Sequence, residues 1–265
     1  TTIEDTWTAP DGRKVALQIL YHAPHKWNVD RMMAGMKAAL AYCEANYTPY
    51  QYRQLRILEF PAYAEFAQAF PNTVPYSEGI GFILDVDKDR RGMDTPYYVT
   101  AHETAHQWWA HQVIGANKQG MTMLSETFAQ YSALRVMEKL YGKAQIRKFL
   151  KTELDRYLRA LGSEAVEELP LARVENQGYI HYRKGSLVMY LLADRLGEDR
   201  VNAMLAGILA AHKFKGAPYL TSTTLVDGYK SLARNEAERQ LVSDLFERIT
   251  LYDLKATAAT RMKAA

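Results

Sequence analysis

His102 and His106 stand four residues apart, with Glu103 beside the first, in the run Tyr98-Val99-Thr100-Ala101-His102-Glu103-Thr104-Ala105-His106. On an α-helix this spacing sets both imidazoles on one face, about 6 Å apart along the axis, where the two rings can share one small ion. Imidazole nitrogen suits zinc. Glu103 falls on the flank of that stripe, a poor place for a ligand but a good one for taking a proton from water at the ion. The chemistry on offer is metal-assisted hydrolysis.

The helix needs a start and the ion needs a third ligand. Asp94-Thr95-Pro96 supplies the start, with Thr95 as cap and Pro96 at the first helical position, where no N–H is required. An extended histidine motif would place glycine and a third histidine where Trp109 and Gln112 stand, so that arrangement is excluded. His111 lies roughly half a turn out of phase with His102 and is expected to face away from the ion as a surface or packing residue. Glu126 remains, at the opening of a second amphipathic helix that runs to about Tyr141 and stops at Gly142. Two antiparallel helices joined through the glycine-punctuated link 115–120 would return Glu126 to the side of His106.

With Glu126 in place the chain resembles the catalytic domain of the aminopeptidase-N-like gluzincin family. Leu124-Ser125-Glu126-Thr127-Phe128-Ala129 is similar to the family's L-N-E-G-F-A run, at a spacing from His106 one residue longer than usual, which reads as an insertion in the glycine-containing link. Glu78, in Val74-Pro75-Tyr76-Ser77-Glu78-Gly79, is the one match to the family's G-x-M-E-N. Tyr182-Arg183-Lys184-Gly185 is similar to its Y-E-K-G, with Tyr179 as the competing tyrosine. The resemblance implies one Zn²⁺ per chain held by His102, His106 and Glu126. It also implies Glu103 as the base, Tyr182 as the hydroxyl facing the oxyanion, and Glu78 as the carboxylate for the substrate's α-amino group. The implied substrate is a peptide, and the implied reaction is removal of its amino-terminal residues. Two alternatives stand beside this reading: a catalytically idle peptidase-like domain of a larger membrane-anchored assembly, and a zinc endopeptidase in which Glu78 is incidental.

The elements expected to position these residues begin with a strand over 14–21 and a helix from an Asn28 cap to about Tyr47. Thr48-Pro49-Tyr50 breaks the chain before a strand over 55–60. A turn at Val74–Gly79 then feeds an edge strand reaching Leu84. His22 and His25 form an H-x-x-H, which is discounted as a metal site because Pro24 prevents a shared helical face. Asp85-Val86-Asp87-Lys88-Asp89 imitates a calcium loop but lacks its glycine and its final glutamate, so calcium is not expected. Helices fill 144–161, 174–192 and 198–249, with breaks at 215–218 and Asn235. The expected fold is a thermolysin-like α+β peptidase domain over 1–250, with a strand-rich lobe to about 95, a helical lobe after it, and the metal at their boundary. Residues 251–265 read as the truncated start of a following β segment.

Composition narrows the classes. The 265 residues are 48% hydrophobic and 24% charged, as in a soluble globular domain. No apolar run is long enough to span a membrane. A net charge of +3, with basic residues scattered, argues against a nucleic-acid partner. The lone Cys43 is expected in a core and leaves the compartment open. The chain opens Thr1-Thr2 without methionine or signal peptide, which suggests an excised piece whose flanking domains or membrane segments lie elsewhere.

Overall fold

The computed structural model describes residues 1–88 and 93–249. The fold is α+β: a four-stranded sheet with its helices, followed by a mainly helical region. The chain separates into two compact units, 1–112 with 132–146, and 113–131 with 147 onward.

In the first unit β1 (Thr2–Thr8), β2 (Lys14–Leu20), β3 (Gln54–Phe60) and β4 (Thr73–Ser77) lie in sequence order. β1 and β2 are antiparallel, and the other two pairings are parallel. Alternation makes the sheet: Val15, Leu17 and Ile19 of β2 and Leu55 and Ile57 of β3 are buried, while their neighbours are not. The parallel pairing of β2 with β3 requires a crossover, which α1 (Val29–Asn46) provides. Met32, Met36, Leu40 and Cys43 recur at helical spacing and are buried. Burial pushes the Cys43 thiol pKa well up, so it is an inert core group.

The strands at 14–20 and 54–60 lie where the periodicity predicts them. The third expected strand does not. Its extended residues are Thr73–Ser77, at the sheet edge, and Glu78–Ile83 form the turns that follow. Pro75 is admissible there because an edge strand has an N–H with no ladder partner to lose. β1 had no sequence signal, because neither Ile3 nor Trp7 is fully buried and the other residues of the strand are exposed.

α2 (Thr95–Ala105) carries the histidine motif. Its cap is Asp94 rather than Thr95, which is already helical: the Asp94 carboxylate accepts from Tyr97 N–H at 3.1 Å. The same carboxylate accepts from Arg31 of α1 at 2.5 Å and from the Tyr141 hydroxyl at 2.7 Å. Burial, followed by Asp94, raises the Tyr141 pKa, and Asp94 raises that of Arg31. α1 and α2 approach closely at Gly35, where a Cβ would stand 3.0 Å from the Tyr97 carbonyl oxygen.

α3 (Phe128–Leu161) is broken at Gly142, whose φ of 76° suits glycine. The stop expected there is real, and a second helical stretch follows it. The second unit is completed by α4 (Gly185–Leu196), α5 (Glu198–His212), α6 (Ser222–Leu232) and α7 (Glu236–Phe246). Asn235 ends the preceding segment and caps α7, accepting from Glu238 N–H at 2.9 Å. Among the described residues no helix is long and apolar enough to cross a membrane. The β segment expected at 251–265 and the end of the calcium-like run at Asp89 lie outside the described residues.

Asp94→Ala removes a cap worth about 1 kcal/mol and a charge-assisted hydrogen bond worth about 1.5 kcal/mol or more. Urea unfolding should therefore show a loss of roughly 2–3 kcal/mol, with Asp94→Asn retaining part of it by keeping the cap.

Candidate active site

α2 presents His102 and His106 as the motif requires. Both side chains are buried, their rings meet edge to face with centroids 4.6 Å apart, and their Nε2 atoms are 3.0 Å apart. Two zinc–nitrogen bonds of about 2.0–2.1 Å imply nitrogens about 3.3 Å apart, so the pair already converges on a point an ion could occupy. The His106 Nδ1 lies 2.9 Å from the Trp109 carbonyl oxygen. A carbonyl only accepts, so Nδ1 carries the proton and Nε2 keeps its lone pair for a metal. Glu103 is buried on the same helix.

The helix end is fixed by the residues after it. Trp108 donates its indole N–H to the Thr48 carbonyl at 2.7 Å and lies against Tyr50, while Trp109 meets Tyr47 edge to face. The Gln107 side chain donates to the Phe70 carbonyl at 2.9 Å and accepts from Asn72 N–H at 2.8 Å. His111 is half-buried against the Ala69 carbonyl oxygen, 3.3 Å away. Burial lowers its pKa; α2 ends at Ala105, so His111 lies beyond the helix and its contact with the chain at Ala69, not a helical phase, sets its place.

Glu78 follows β4 directly. One carboxylate oxygen accepts from Ala62 N–H at 3.0 Å, and the other lies 3.5 Å from His25 Nδ1.

In the second unit Glu126 lies in a π-helical turn, Met123–Thr127, and Tyr182 in another, Tyr179–Lys184. Such turns are rare and frequent at functional sites. The two are packed together: the Thr127 hydroxyl donates to the His181 carbonyl at 2.7 Å. A Cβ on Gly185 would meet the Thr127 side chain at 2.7 Å, so only glycine allows this approach. Tyr182 is half-buried, whereas Tyr179 is buried and its ring is stacked on Tyr157. Packing therefore occupies the competing tyrosine.

A buried charge pair anchors the Tyr182 turn. Lys184 Nζ lies 2.5 Å from Glu168, both side chains almost fully enclosed, and the Tyr157 hydroxyl donates to the same carboxylate at 2.8 Å. Burial, then Glu168, raises the Tyr157 pKa. Arg183, which stands where the family motif has glutamate, pairs with the fully buried Glu153 at 2.9 Å. The sequence signal for this network was the Lys184-Gly185 pair after Tyr182, but its acidic partners lie in separate stretches and carry no local pattern. Glu168→Gln would leave a buried ammonium group without its counter-charge and should cost about 3–5 kcal/mol in chemical unfolding. Combining it with Lys184→Met should restore most of that loss, because the pair is then replaced rather than broken.

Comparison with known proteins places this geometry. Residues 31–247 match the peptidase family M1 domain. The fold is similar to an M1 zinc metallopeptidase from Deinococcus radiodurans, with a TM-score of 0.67 and 18% identity over 94% of this chain and 52% of that one. It is also similar to a mutant of that enzyme bound to the substrate Tyr-Ser-Ala, with a TM-score of 0.60 and 18% identity over 92% of this chain and 51% of that one. Legionella pneumophila aminopeptidase A in complex with aspartic acid aligns with a TM-score of 0.69 and 16% identity over 93% of this chain and 28% of that one. The chain thus spans about half the length of the Deinococcus enzyme. No curated protein is significantly similar in sequence. The family match covers most of the chain, and the sheet, helices and histidine pair agree with it: this chain belongs to peptidase family M1, the zinc metallopeptidases.

Proposed function

We propose that this chain is the zinc-bearing catalytic domain of an aminopeptidase, with one tightly held Zn²⁺ on His102, His106 and Glu126. The observation that carries the reading is the convergence of the two imidazoles, with His106 held by the Trp109 carbonyl in the tautomer a metal needs. Two imidazole nitrogens and a carboxylate oxygen are a donor set that suits zinc and leaves a fourth position open. When bound, zinc supplies Lewis acidity, polarising a carbonyl and bringing the pKa of water to about 7.

The chain's own groups do the rest. Glu103 takes a proton from the attacking water and passes it to the leaving amine. The Tyr182 hydroxyl donates to the oxygen that gains charge as the peptide carbon becomes tetrahedral. Glu78 accepts hydrogen bonds from the ammonium group of the substrate's first residue and so sets which bond is cut. That relatives bind single amino acids supports an enzyme acting at chain ends.

Glu103→Gln keeps the shape and loses the base, so it should retain zinc by elemental analysis and lose turnover. Tyr182→Phe should lower kcat by roughly 10²–10³ with little change in KM, the scale for one oxyanion donor. An unchanged kcat would remove Tyr182 from the chemistry.

For Glu78, the ratio of cleavage of free-amine to N-acetylated peptides is the measurement, taken on the protein with its natural flanking sequence. A charge-assisted hydrogen bond is worth about 1.5–3 kcal/mol, so the free amine should be favoured by about one to two powers of ten. Glu78→Ala should remove most of that preference. A ratio near one in active wild-type enzyme would leave a zinc endopeptidase instead.

A further inference from the structure

A second set of metal-ligating side chains, His25, Glu59 and Glu78, gathers at one end of the sheet. β3 and β4 are parallel with Phe60 opposite Ser77, and Glu78 N–H donates to the Phe60 carbonyl at 2.9 Å. This register brings the carboxylates of Glu59 and Glu78 out side by side. Between them stands His25, from the turn after β2. Its Nδ1 is 2.5 Å from one Glu59 oxygen and 3.5 Å from one Glu78 oxygen. His22 sets its ring edge-on to His25, with centroids 4.9 Å apart, and its backbone N–H donates to the other Glu59 oxygen. Pro24 rules out a helix here, but the turn brings the two rings together without one.

The charges around this cluster are unbalanced. Two partly buried carboxylates face one imidazole, and among the described residues no lysine or arginine pairs with either of them. One His25 Nδ1–H cannot serve both acids well, whereas a divalent cation would neutralise both. The distances suit such an ion. Zinc bonds of about 2.0–2.2 Å to nitrogen and oxygen imply neighbouring ligand atoms about 3.3 Å apart. The contact between His25 and Glu78 is already of that length, and the one to Glu59 must open by less than about 1 Å. The side chains of His25, Glu59 and Glu78 are 24%, 6% and 22% exposed, so an ion from solvent can reach them.

We propose that His25, Glu59 and Glu78, whose ligand atoms all lie within 4.8 Å of one another, form a second site for a divalent transition cation such as zinc, separate from the histidine pair of α2. One imidazole and two carboxylates are donors that such ions accept. The site stands whether or not the chain is a peptidase. If Glu78 also receives the substrate's ammonium group, ion and amine are alternatives at the same oxygen.

The test is zinc stoichiometry at saturating Zn²⁺, by equilibrium dialysis and elemental analysis, on wild type, His25→Ala and Glu59→Gln. Both variants should bind one ion fewer per chain than wild type, with the zinc retained after exhaustive dialysis the same in all three. Equal totals overturn the site. A measurement on the unaltered chain guards against variants that misfold: in long-range proton–nitrogen NMR correlations of the histidine rings, added Zn²⁺ should shift His25 Nδ1 and leave His111 in place. A titration that saturates the protein and does not move His25 also overturns the site.

Discussion

An imidazole can offer a metal only the nitrogen that carries no proton, and in His106 that choice is made by the carbonyl of Trp109. Everything around the end of α2 serves to keep that carbonyl in place. Trp108 and Trp109 are fully buried, the first tied to the Thr48 carbonyl and the second packed on Tyr47. Gln107 is tied to the chain at 70–72, and Gln112 donates to the Pro49 carbonyl at 2.9 Å. Between these anchors Ala110 takes a φ of 140°, a conformation a non-glycine residue adopts only where its surroundings hold it. The run Tyr47-Thr48-Pro49-Tyr50 after α1 is thus the wall against which the histidine motif is set.

Where the sequence was readable, a period or a fixed offset carried the signal. The H-E-x-x-H offset depends only on helical geometry, and the helix is present. The buried strands at 14–20 and 54–60 alternate, and the break at Gly142 is a glycine with positive φ. The misses have physical causes too. Asn28 does sit at the N-cap of α1, but its amide donates to the carbonyls of Gly81 and Leu84, at 2.7 and 2.8 Å, instead of capping. A side chain that can satisfy several partners does not announce which it will take. Asp94 displaced Thr95 as the cap of α2 because a carboxylate can hold Arg31 and Tyr141 at the same time.

The cluster of His22, His25, Glu59 and Glu78 marks the limit of reading by periodicity. An H-x-x-H tested only against a helix fails at Pro24, and a strand register is invisible until two strands are paired. Glu59 and Glu78 become neighbours through the parallel register of β3 and β4. No local pattern encodes that pairing. The same holds for the Lys184–Glu168 pair, whose partners lie on separate segments and meet only in the folded interior.

The stretch from His106 to Glu126 ends in an irregular turn. A π-helical turn holds more residues than an α-helical one, so an added residue can be taken up at the start of a helix without rotating the turns beyond it. Glu126 lies in such a turn, Met123–Thr127, and α3 continues from it in regular phase through Tyr131 and Leu134, both fully buried. The neighbouring turn that carries Tyr182 is also π-helical, and Thr127 touches it on two sides, through the His181 carbonyl and across Gly185. Two irregular turns pressed together constrain each other more than either would be constrained alone. That mutual contact sets the turn that carries Glu126 beside the turn that carries Tyr182 within one unit.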